Sequence, residues 1–128
     1  MTIHLDRLPG TFAVARLAPD AGWPHWATWS RDFVSVSCTR AETSVVCAAE
    51  CVPHDVRAER PFAAFVVRGP LPFTAVGILA ALTAPLASAA IPVLAISTFD
   101  TDVLLVREGS RPDAIRVWRE AGVAGSEG

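Results

Sequence analysis

The stretch from Phe62 to Glu108 limits the possible folds of this chain more than any other part of its sequence. Its first segment, Phe62–Arg68, is apolar on both faces, which is typical of a central strand covered by helices. After a Gly-Pro-Leu-Pro corner, apolar residues recur at the spacing of one helix face. Beyond Pro92 the period shortens, which predicts two strands, Val93–Thr98 and Val103–Arg107, joined by an acidic turn. The stretch therefore predicts a βαββ unit.

Two helices are expected on a single face of the antiparallel sheet that these strands form. The first covers residues 74–90, and the second covers residues 111–121. Ser110 is a suitable N-cap for the second helix, Pro112 lies in its first turn, and Gly122 ends it. An antiparallel sheet with helices on one face belongs to the α+β class.

The N-terminal half repeats part of this unit in a degenerate form. A predicted hairpin over residues 35–47 corresponds to the hairpin over residues 94–105, with one residue gained in the first turn. The chain is therefore expected to contain two modules, residues 1–60 and residues 61–128. Each module has only three well-marked strands, so we expect Thr2–Leu8 to complete the sheet of the second module.

The second module contains four motifs that occur in the order Gly69-Pro70-Leu71-Pro72-Phe73, Gly77-Ile78-Leu79, Leu82-Thr83-Ala84-Pro85-Leu86-Ala87 and Ile96-Ser97-Thr98-Phe99-Asp100-Thr101-Asp102. Together they resemble the motifs of ACT domains. More narrowly, the chain is similar to the small bacterial tandem-ACT proteins related to the CASTOR-type arginine sensors. The resemblance implies two ACT-like modules of the ferredoxin-like fold, the N-terminal one degenerate.

Composition and charge argue against several classes of protein. The net charge is −2, and the eleven cationic residues, all of them Arg, are scattered, so we expect no nucleic-acid partner. Gly69–Phe99 carries no charge, but Pro85 and Pro92 divide it, so we expect no membrane span. We see no export signal, and three cysteines, an odd number, favour reduced thiols in a cytoplasmic protein.

A binding site for a free amino acid is predicted where the strand-to-helix corner meets the acidic turn. A helix N-terminus offers unpaired N–H groups to a carboxylate, and a carboxylate side chain accepts hydrogen bonds from an ammonium. In a βαββ unit the ends of the first two strands lie at the same edge, so the corner and the turn are expected to be neighbours. The predicted ligand-binding residues are Phe73, Thr74, Gly77, Ile78, Asp100 and Asp102.

The resemblance implies that Gly77, Ile78 and Asp102 contact the ligand. Ala75 occupies the position at which the arginine sensors carry a glutamate, so the acidic group that would hold a basic side chain there is missing. The alternative interpretation is that the two aspartates only form a turn and that Gly77 only allows close packing.

Other candidate chemistry is concentrated in the first module. Cys47, Cys51 and His54 are of types that hold zinc or serve in catalysis, but their spacing matches no established ligand pattern. Three tryptophans at a spacing of three residues are interpreted as one buried anchor, Trp26, with two exposed companions. We therefore predict no catalytic residue, no metal and no cofactor.

The sequence thus favours a regulatory or sensor module that binds an amino acid and is not an enzyme. One alternative is a structural ACT dimer that has lost its ligand, and another is a Cys/His-based enzyme or metal-binding protein. The chain has no Lys and few charges that would protect exposed strand edges, so we expect a homodimer.

Overall fold

The computed structural model describes residues 2–125, and within them the chain divides into two compact units. One unit combines the residues up to Pro9 with those from Ala63 onward, and the other is Gly10–Phe62. The division at residue 62 lies near the expected module boundary, while the first residues group with the C-terminal part. In chain order the elements are β1 (His4–Arg7), β2 (Phe12–Leu17), β3 (Ser35–Cys38), β4 (Thr43–Ala48), β5 (Ala58–Val67), α1 (Ile78–Ser88), β6 (Leu94–Ser97), β7 (Asp102–Arg107), α2 (Arg111–Glu120) and β8 (Ala124–Gly125).

The first unit is a sheet with the strand order β8-β1-β5-β7-β6, to which β5 contributes its second half. β1 runs antiparallel to β5, with Leu5 opposite Val67. β6 and β7 form an antiparallel hairpin in which Ser97 lies opposite Asp102. The prediction that the first strand completes the sheet of the C-terminal half is confirmed, and the fold is of the α+β class as expected.

Both helices of this unit pack on the same face of the sheet. Alternate residues of a strand point to the same face of a sheet. One set of alternate residues from β5 and one from β7 belong to a single buried cluster, which also contains the inward-facing residues of both helices. The fully buried Trp118 of α2 donates its indole N–H to the carbonyl oxygen of Leu82 in α1 over 2.8 Å, and its ring meets Phe65 of β5 edge-on at 5.0 Å. The cluster contains Leu5, Ala63, Phe65, Val67, Leu82, Leu86, Leu104, Val106, Ala114 and Trp118, among others.

The first helix is shorter at both ends than the predicted range of residues 74–90. Gly77 is its N-cap and has a φ of 81°, a left-handed conformation that interrupts helical geometry before α1 begins. At the other end Ala90 has a φ of 57°, and the N–H of Ile91 returns to the carbonyl oxygen of Leu86 over 2.9 Å. This pattern is a Schellman motif, which ends a helix by reversing the chain.

The second helix agrees with its prediction to within one residue, since α2 covers Arg111–Glu120. Ser110 precedes it as expected, but the Ser110 side chain makes no capping hydrogen bond. Asp113 in the first turn and Arg119 in the last turn both have the sign that the helix dipole favours.

The second unit is built on the strand order β3-β4-β2-β5, with the first half of β5 at its edge. β4 pairs antiparallel with both β2 and β3. A short 3₁₀ helix, His25–Trp29, takes the place of a regular α-helix, as the tryptophan spacing indicated. Trp26 packs partly buried against the core of this unit, whereas Trp23 and Trp29 are 56% and 75% exposed.

The two predicted hairpins have the same turn geometry. Thr39 and Thr98 each begin a turn and donate their N–H to the carbonyl oxygen three residues later, Glu42 over 2.9 Å and Thr101 over 2.8 Å. In each turn the threonine hydroxyl also accepts the returning N–H at 3.2 Å. The prediction of an extra residue in the first turn was wrong, because both turns have the same length and thus repeat in register.

No helix within residues 2–125 is long and apolar enough to cross a membrane. The uncharged stretch from Gly69 to Phe99 is divided between the corner, α1 with its 11 residues, and the short strand β6.

We expect Ala90→Gly to stabilise the protein. Ala90 holds a left-handed conformation that costs an L-residue roughly 1–2 kcal/mol, and glycine adopts it freely but loses more chain entropy on folding, so the net gain is about 0.5–1 kcal/mol. Urea unfolding measures the change. Ala87→Gly, within α1, is the matched control and should instead cost about 1 kcal/mol; a loss of stability in both variants would contradict the prediction.

Candidate functional site

A cavity of about 410 Å³ opens between the corner, which we define as residues 68–77, and the turn of the β6–β7 hairpin, residues 98–101. Both segments belong to the first unit. The cavity is bounded by the corner on one side and by the hairpin on the other, with the start of α1 between them. Its lining residues are Leu71, Pro72, Phe73, Ala75, Ile78, Ser97, Thr98, Phe99, Asp100, Thr101 and Asp102.

Backbone contacts hold the corner against the hairpin turn. The N–H of Leu71 donates to the carbonyl oxygen of Asp100 over 2.7 Å, and the hydroxyl of Thr101 donates to the carbonyl oxygen of Val67 at the end of β5. A Cβ atom added to Gly69 would lie 3.0 Å from the same Asp100 oxygen and 3.0 Å from the Leu71 nitrogen. Only glycine therefore fits at residue 69 without displacing the turn.

The start of α1 presents unpaired backbone donors at the cavity. The first hydrogen bond inside the helix runs from the N–H of Ala81 to the carbonyl oxygen of Gly77 over 2.9 Å. The N–H groups of residues 78–80 precede that bond and have no acceptor within the helix. Gly77 has no side chain that could cap them, and Ile78 lines the cavity. The helix end therefore offers donors and a favourable potential to a bound carboxylate.

Two carboxylates line the side of the cavity that the hairpin forms. Asp102 is half-buried at the first residue of β7, and its Oδ1 accepts the hydroxyl hydrogen of Ser97 over 2.5 Å. Asp100 is exposed in the turn, and its backbone carbonyl is the acceptor for Leu71. The lining contains no Arg and no His. The side chains of the cavity therefore carry negative charge only.

An aromatic pair lies at the mouth of the cavity. Phe73 of the corner and Phe99 of the turn have ring centroids 4.8 Å apart at an interplanar angle of 58°. The two rings are 76% and 79% exposed, and Val76 beside them is 91% exposed. Large apolar side chains in such positions are typical of residues that cover a ligand or meet a partner.

Four of the six predicted ligand-binding residues line this cavity together, and two do not. Phe73, Ile78, Asp100 and Asp102 are in the lining, whereas Thr74 is absent from it. Gly77 is also absent, because it lies outside as the N-cap and not within the first helical turn. Sequence reasoning missed seven lining residues. One is Ala75, and the other six stand in the quoted motifs: Leu71, Pro72, Ser97, Thr98, Phe99 and Thr101.

The cysteine and histidine candidates of the second unit do not form a site. Burial raises the pKa of the Cys47 thiol to about 11, with a smaller contribution from nearby Cys51. Burial also raises the pKa of Cys51, so both thiols are protonated at neutral pH and are poor nucleophiles. His54 is exposed. No three His, Cys, Asp or Glu side chains in the described part of the chain come together as a metal site.

A smaller cavity of about 170 Å³ shares Leu71 and Ile78 with the first. Arg68 is part of its lining, but the Arg68 guanidinium is engaged by both carboxylate oxygens of Asp6 at 2.6 and 3.0 Å. The hydrogen bond from Arg68 lowers the pKa of Asp6. This arginine is therefore occupied by an ion pair on the surface.

A family model described as ACT domain matches residues 57–120. A second model, of an N-terminal domain, matches residues 10–55. Among curated proteins there is no match.

Several solved structures are similar to this chain. A protein from Agobacterium tumefaciens is 34% identical, with a TM-score of 0.91 over 98% of this chain and 92% of that chain. A Vibrio cholerae protein of unknown function, described as a possible transport protein, is 16% identical, with a TM-score of 0.77 over 94% and 91% of the two chains. The regulatory subunit of aspartate kinase from Thermus flavus is 12% identical, with a TM-score of 0.60 over 94% and 97%. The last two similarities establish a shared fold.

We expect Gly69→Ala to destabilise the first unit by forcing the corner away from the hairpin turn. Crowding of this kind costs about 1–3 kcal/mol, because the atoms in the way belong to the backbone. The free energy of unfolding in urea measures it. Gly109→Ala is the matched control, since nothing lies within 4 Å of its added Cβ; equal stability of both variants would contradict the role of Gly69.

Proposed function

Because the chain belongs to the ACT domain family, we propose that it is a regulatory module that binds a small amino acid and has no catalytic activity of its own. The observation that carries this proposal is the composition of one cavity. Ile78, the first residue of α1, and Asp102 line the same cavity of about 410 Å³, so the helix end with its unpaired N–H groups and a carboxylate meet at one cavity. That volume lies within the range of about 300–1,000 Å³ that is usual for small-molecule sites.

The two charged ends of a free amino acid match the two ends of this cavity. Its carboxylate accepts hydrogen bonds from the unpaired backbone N–H groups at the start of α1, where Ile78 lines the cavity and the helix dipole favours an anion. Its ammonium donates to Asp102, whose Oδ1 is held by Ser97 while Oδ2 remains available. Leu71, Ala75 and Ile78 contribute apolar contacts for a side chain.

A regulatory role is supported by the fold that the chain shares with regulatory subunits of aspartate kinase. Those subunits act with an enzyme and do not supply its chemistry themselves, and we propose the same division of roles for this chain. The raised pKa values of Cys47 and Cys51 are consistent with a protein that does not use its thiols as nucleophiles.

We further propose that both modules are ACT-like, as in the small bacterial tandem-ACT proteins related to arginine sensors, and that one module keeps the ligand site. The identical turns of the two hairpins support the repeat. In that register Arg40 and Ala41 correspond to Phe99 and Asp100, and Thr43 corresponds to Asp102. The first hairpin therefore lacks both carboxylates.

We propose that the protein is a cytoplasmic homodimer. Its three cysteines, Cys38, Cys47 and Cys51, are free, as suits a reducing compartment. β6 pairs with β7 and with no other described strand, and its exposed residues Leu94 and Ala95 carry no charge that would oppose pairing with a second copy. A dimer that is structural and binds no ligand is the second candidate, favoured by the exposure of Phe73, Val76 and Phe99.

Asp102→Asn should weaken ligand binding without affecting the fold. Asparagine keeps the acceptor for Ser97 but removes the charge, and a charge-assisted hydrogen bond contributes about 1.5–3 kcal/mol, so affinity should fall about tenfold to a hundredfold. Calorimetry with the amino acid that binds best among the twenty measures the change, and Asp20→Asn, on the exposed surface, is the control. A lower unfolding midpoint with unchanged affinity would instead support a purely structural aspartate.

Ala95→Pro should convert the dimer to a monomer. Thr98 and Thr101 form a hydrogen-bonded pair at the end of the β6–β7 ladder. Hydrogen-bonded and non-hydrogen-bonded pairs alternate along an antiparallel ladder, so Ala95 lies in a non-bonded pair and its N–H points away from β7. Proline removes this outward donor and leaves the bonds to β7 intact. Light scattering measures the mass; Ala95→Val, which keeps the N–H, should remain dimeric, and a proline variant that still dimerises would contradict pairing through β6.

A further inference from the structure

The hydroxyl groups that line the cavity all have their protons engaged within the protein. Among the described lining residues only Ser97, Thr98 and Thr101 carry a hydroxyl, and no lining side chain carries an N–H. Ser97 donates to the Oδ1 of Asp102 over 2.5 Å. Thr98 donates to the carbonyl oxygen of Thr101 over 3.2 Å, and the Thr101 hydroxyl donates to the carbonyl oxygen of Val67.

The hairpin side of the cavity, residues 97–102, therefore offers side-chain acceptors and no free side-chain donor. Carboxylate and carbonyl oxygens only accept, so the hydroxyl is the donor in each of these three hydrogen bonds. What remains toward the cavity is the lone pairs of the three hydroxyl oxygens and the carboxylates of Asp100 and Asp102. We call this side of the cavity the acceptor wall.

The hydrogen bond between Ser97 and Asp102 follows from the register of the hairpin. The two residues lie directly opposite each other, next to the hydrogen-bonded pair that closes the turn, so theirs is a non-hydrogen-bonded pair. Side chains lie closer together in such pairs, which brings the hydroxyl within reach of the carboxylate. The corresponding pair of the first hairpin, Cys38 and Thr43, contains no carboxylate.

This hydrogen bond fixes the orientation in which Asp102 meets a ligand. Rotation of the carboxylate would break the bond from Ser97 to Oδ1, so Oδ2 stays available to a donor from the cavity. A group that is already oriented loses less freedom on binding, and affinity gains accordingly.

An acceptor wall distinguishes ligand groups by the protons that they carry. An ammonium has three donors and no lone pair, whereas a hydroxyl has one donor and two lone pairs, and an oxo group has lone pairs only. Lone pairs placed against this wall find no side-chain donor to replace the water that they give up, which lowers affinity. The wall is therefore suited to an ammonium.

We propose that Ser97 is the positioning residue of the amino-acid site. Its hydroxyl holds Asp102 and gives up its only proton in doing so, and the resulting acceptor wall selects an amino acid over the 2-hydroxy acid or 2-oxo acid of the same carbon skeleton. This inference rests on the proposed function. It concerns the atoms that all amino acids share, whatever their side chain.

The first experiment compares each amino acid that binds with its 2-hydroxy acid. Calorimetry on the full chain tests the twenty L-amino acids and, for each one that binds, the 2-hydroxy acid of the same skeleton, such as L-lactate for L-alanine. The amino acid should bind about tenfold or more tightly, because a neutral hydrogen bond replaces a charge-assisted one. Equal affinities would overturn the selection while leaving amino-acid binding standing. If none of the twenty binds, the proposed function fails, and this inference fails with it.

The second experiment tests Ser97 itself. Ser97→Ala should lower the affinity for the same amino acid about threefold to tenfold, and Ser97→Thr should restore it, because threonine keeps the hydroxyl and suits a strand. Ser37→Ala, at an exposed serine of β3, is the matched control and should bind as the unsubstituted protein does. Unchanged affinity in Ser97→Ala, or no recovery in Ser97→Thr, would overturn the positioning role.

The 2-hydroxy acid separates positioning from a purely structural effect of Ser97. If Ser97 acts through Asp102, Ser97→Ala should weaken the amino acid by a larger factor than the 2-hydroxy acid, because only the ammonium forms a charge-assisted bond with the carboxylate. The free energy of unfolding in urea should stay close to that of Ser37→Ala. Equal weakening of both compounds, together with a loss of stability, would show that Ser97 only supports the hairpin.

Discussion

The candidate site depends on the close approach of the Gly69 backbone to the carbonyl oxygen of Asp100. Because no Cβ fits between them, the corner and the hairpin turn can share the bond from the Leu71 N–H to that oxygen. The Thr101 hydroxyl fixes the same turn to the end of β5. Backbone contacts, together with the Thr101 hydroxyl, thus set the separation between the corner and the hairpin turn.

The buried core fixes the position of α1, whose first residues form the third side of the cavity. Trp118 lies between the sheet and α1, and its indole N–H binds the carbonyl oxygen of Leu82, one turn into that helix. Because Trp118 is fully buried, a shift of α1 along its axis would leave the indole donor without its acceptor. The N–H groups that begin α1 are therefore held at the cavity by the same contacts that stabilise the unit.

The two hairpins show how turn geometry and binding chemistry are separated in this chain. A threonine at the start of each turn makes the same three hydrogen bonds, so either sequence builds the same loop. The other turn positions differ between the hairpins: Arg40, Ala41 and Glu42 occupy the first turn, whereas Phe99, Asp100 and Thr101 occupy the second. The carboxylates of the second hairpin line the same cavity as the start of α1, which is the arrangement on which the proposed amino-acid site rests.

The sequence by itself determined the order of strands and helices, the α+β class, both hairpins and the edge at which Asp100 and Asp102 meet the corner, because periodicity and turn chemistry are local properties. Tertiary structure decided that β1 pairs with β5 and that α1 begins only after Gly77. It also decided which hydroxyl groups line the cavity, and it placed the backbone of residue 69 so close to the hairpin turn that a Cβ does not fit there. These features depend on contacts between residues far apart in the chain: the acceptor that excludes a Cβ at Gly69 belongs to Asp100, which no local pattern around the corner can specify.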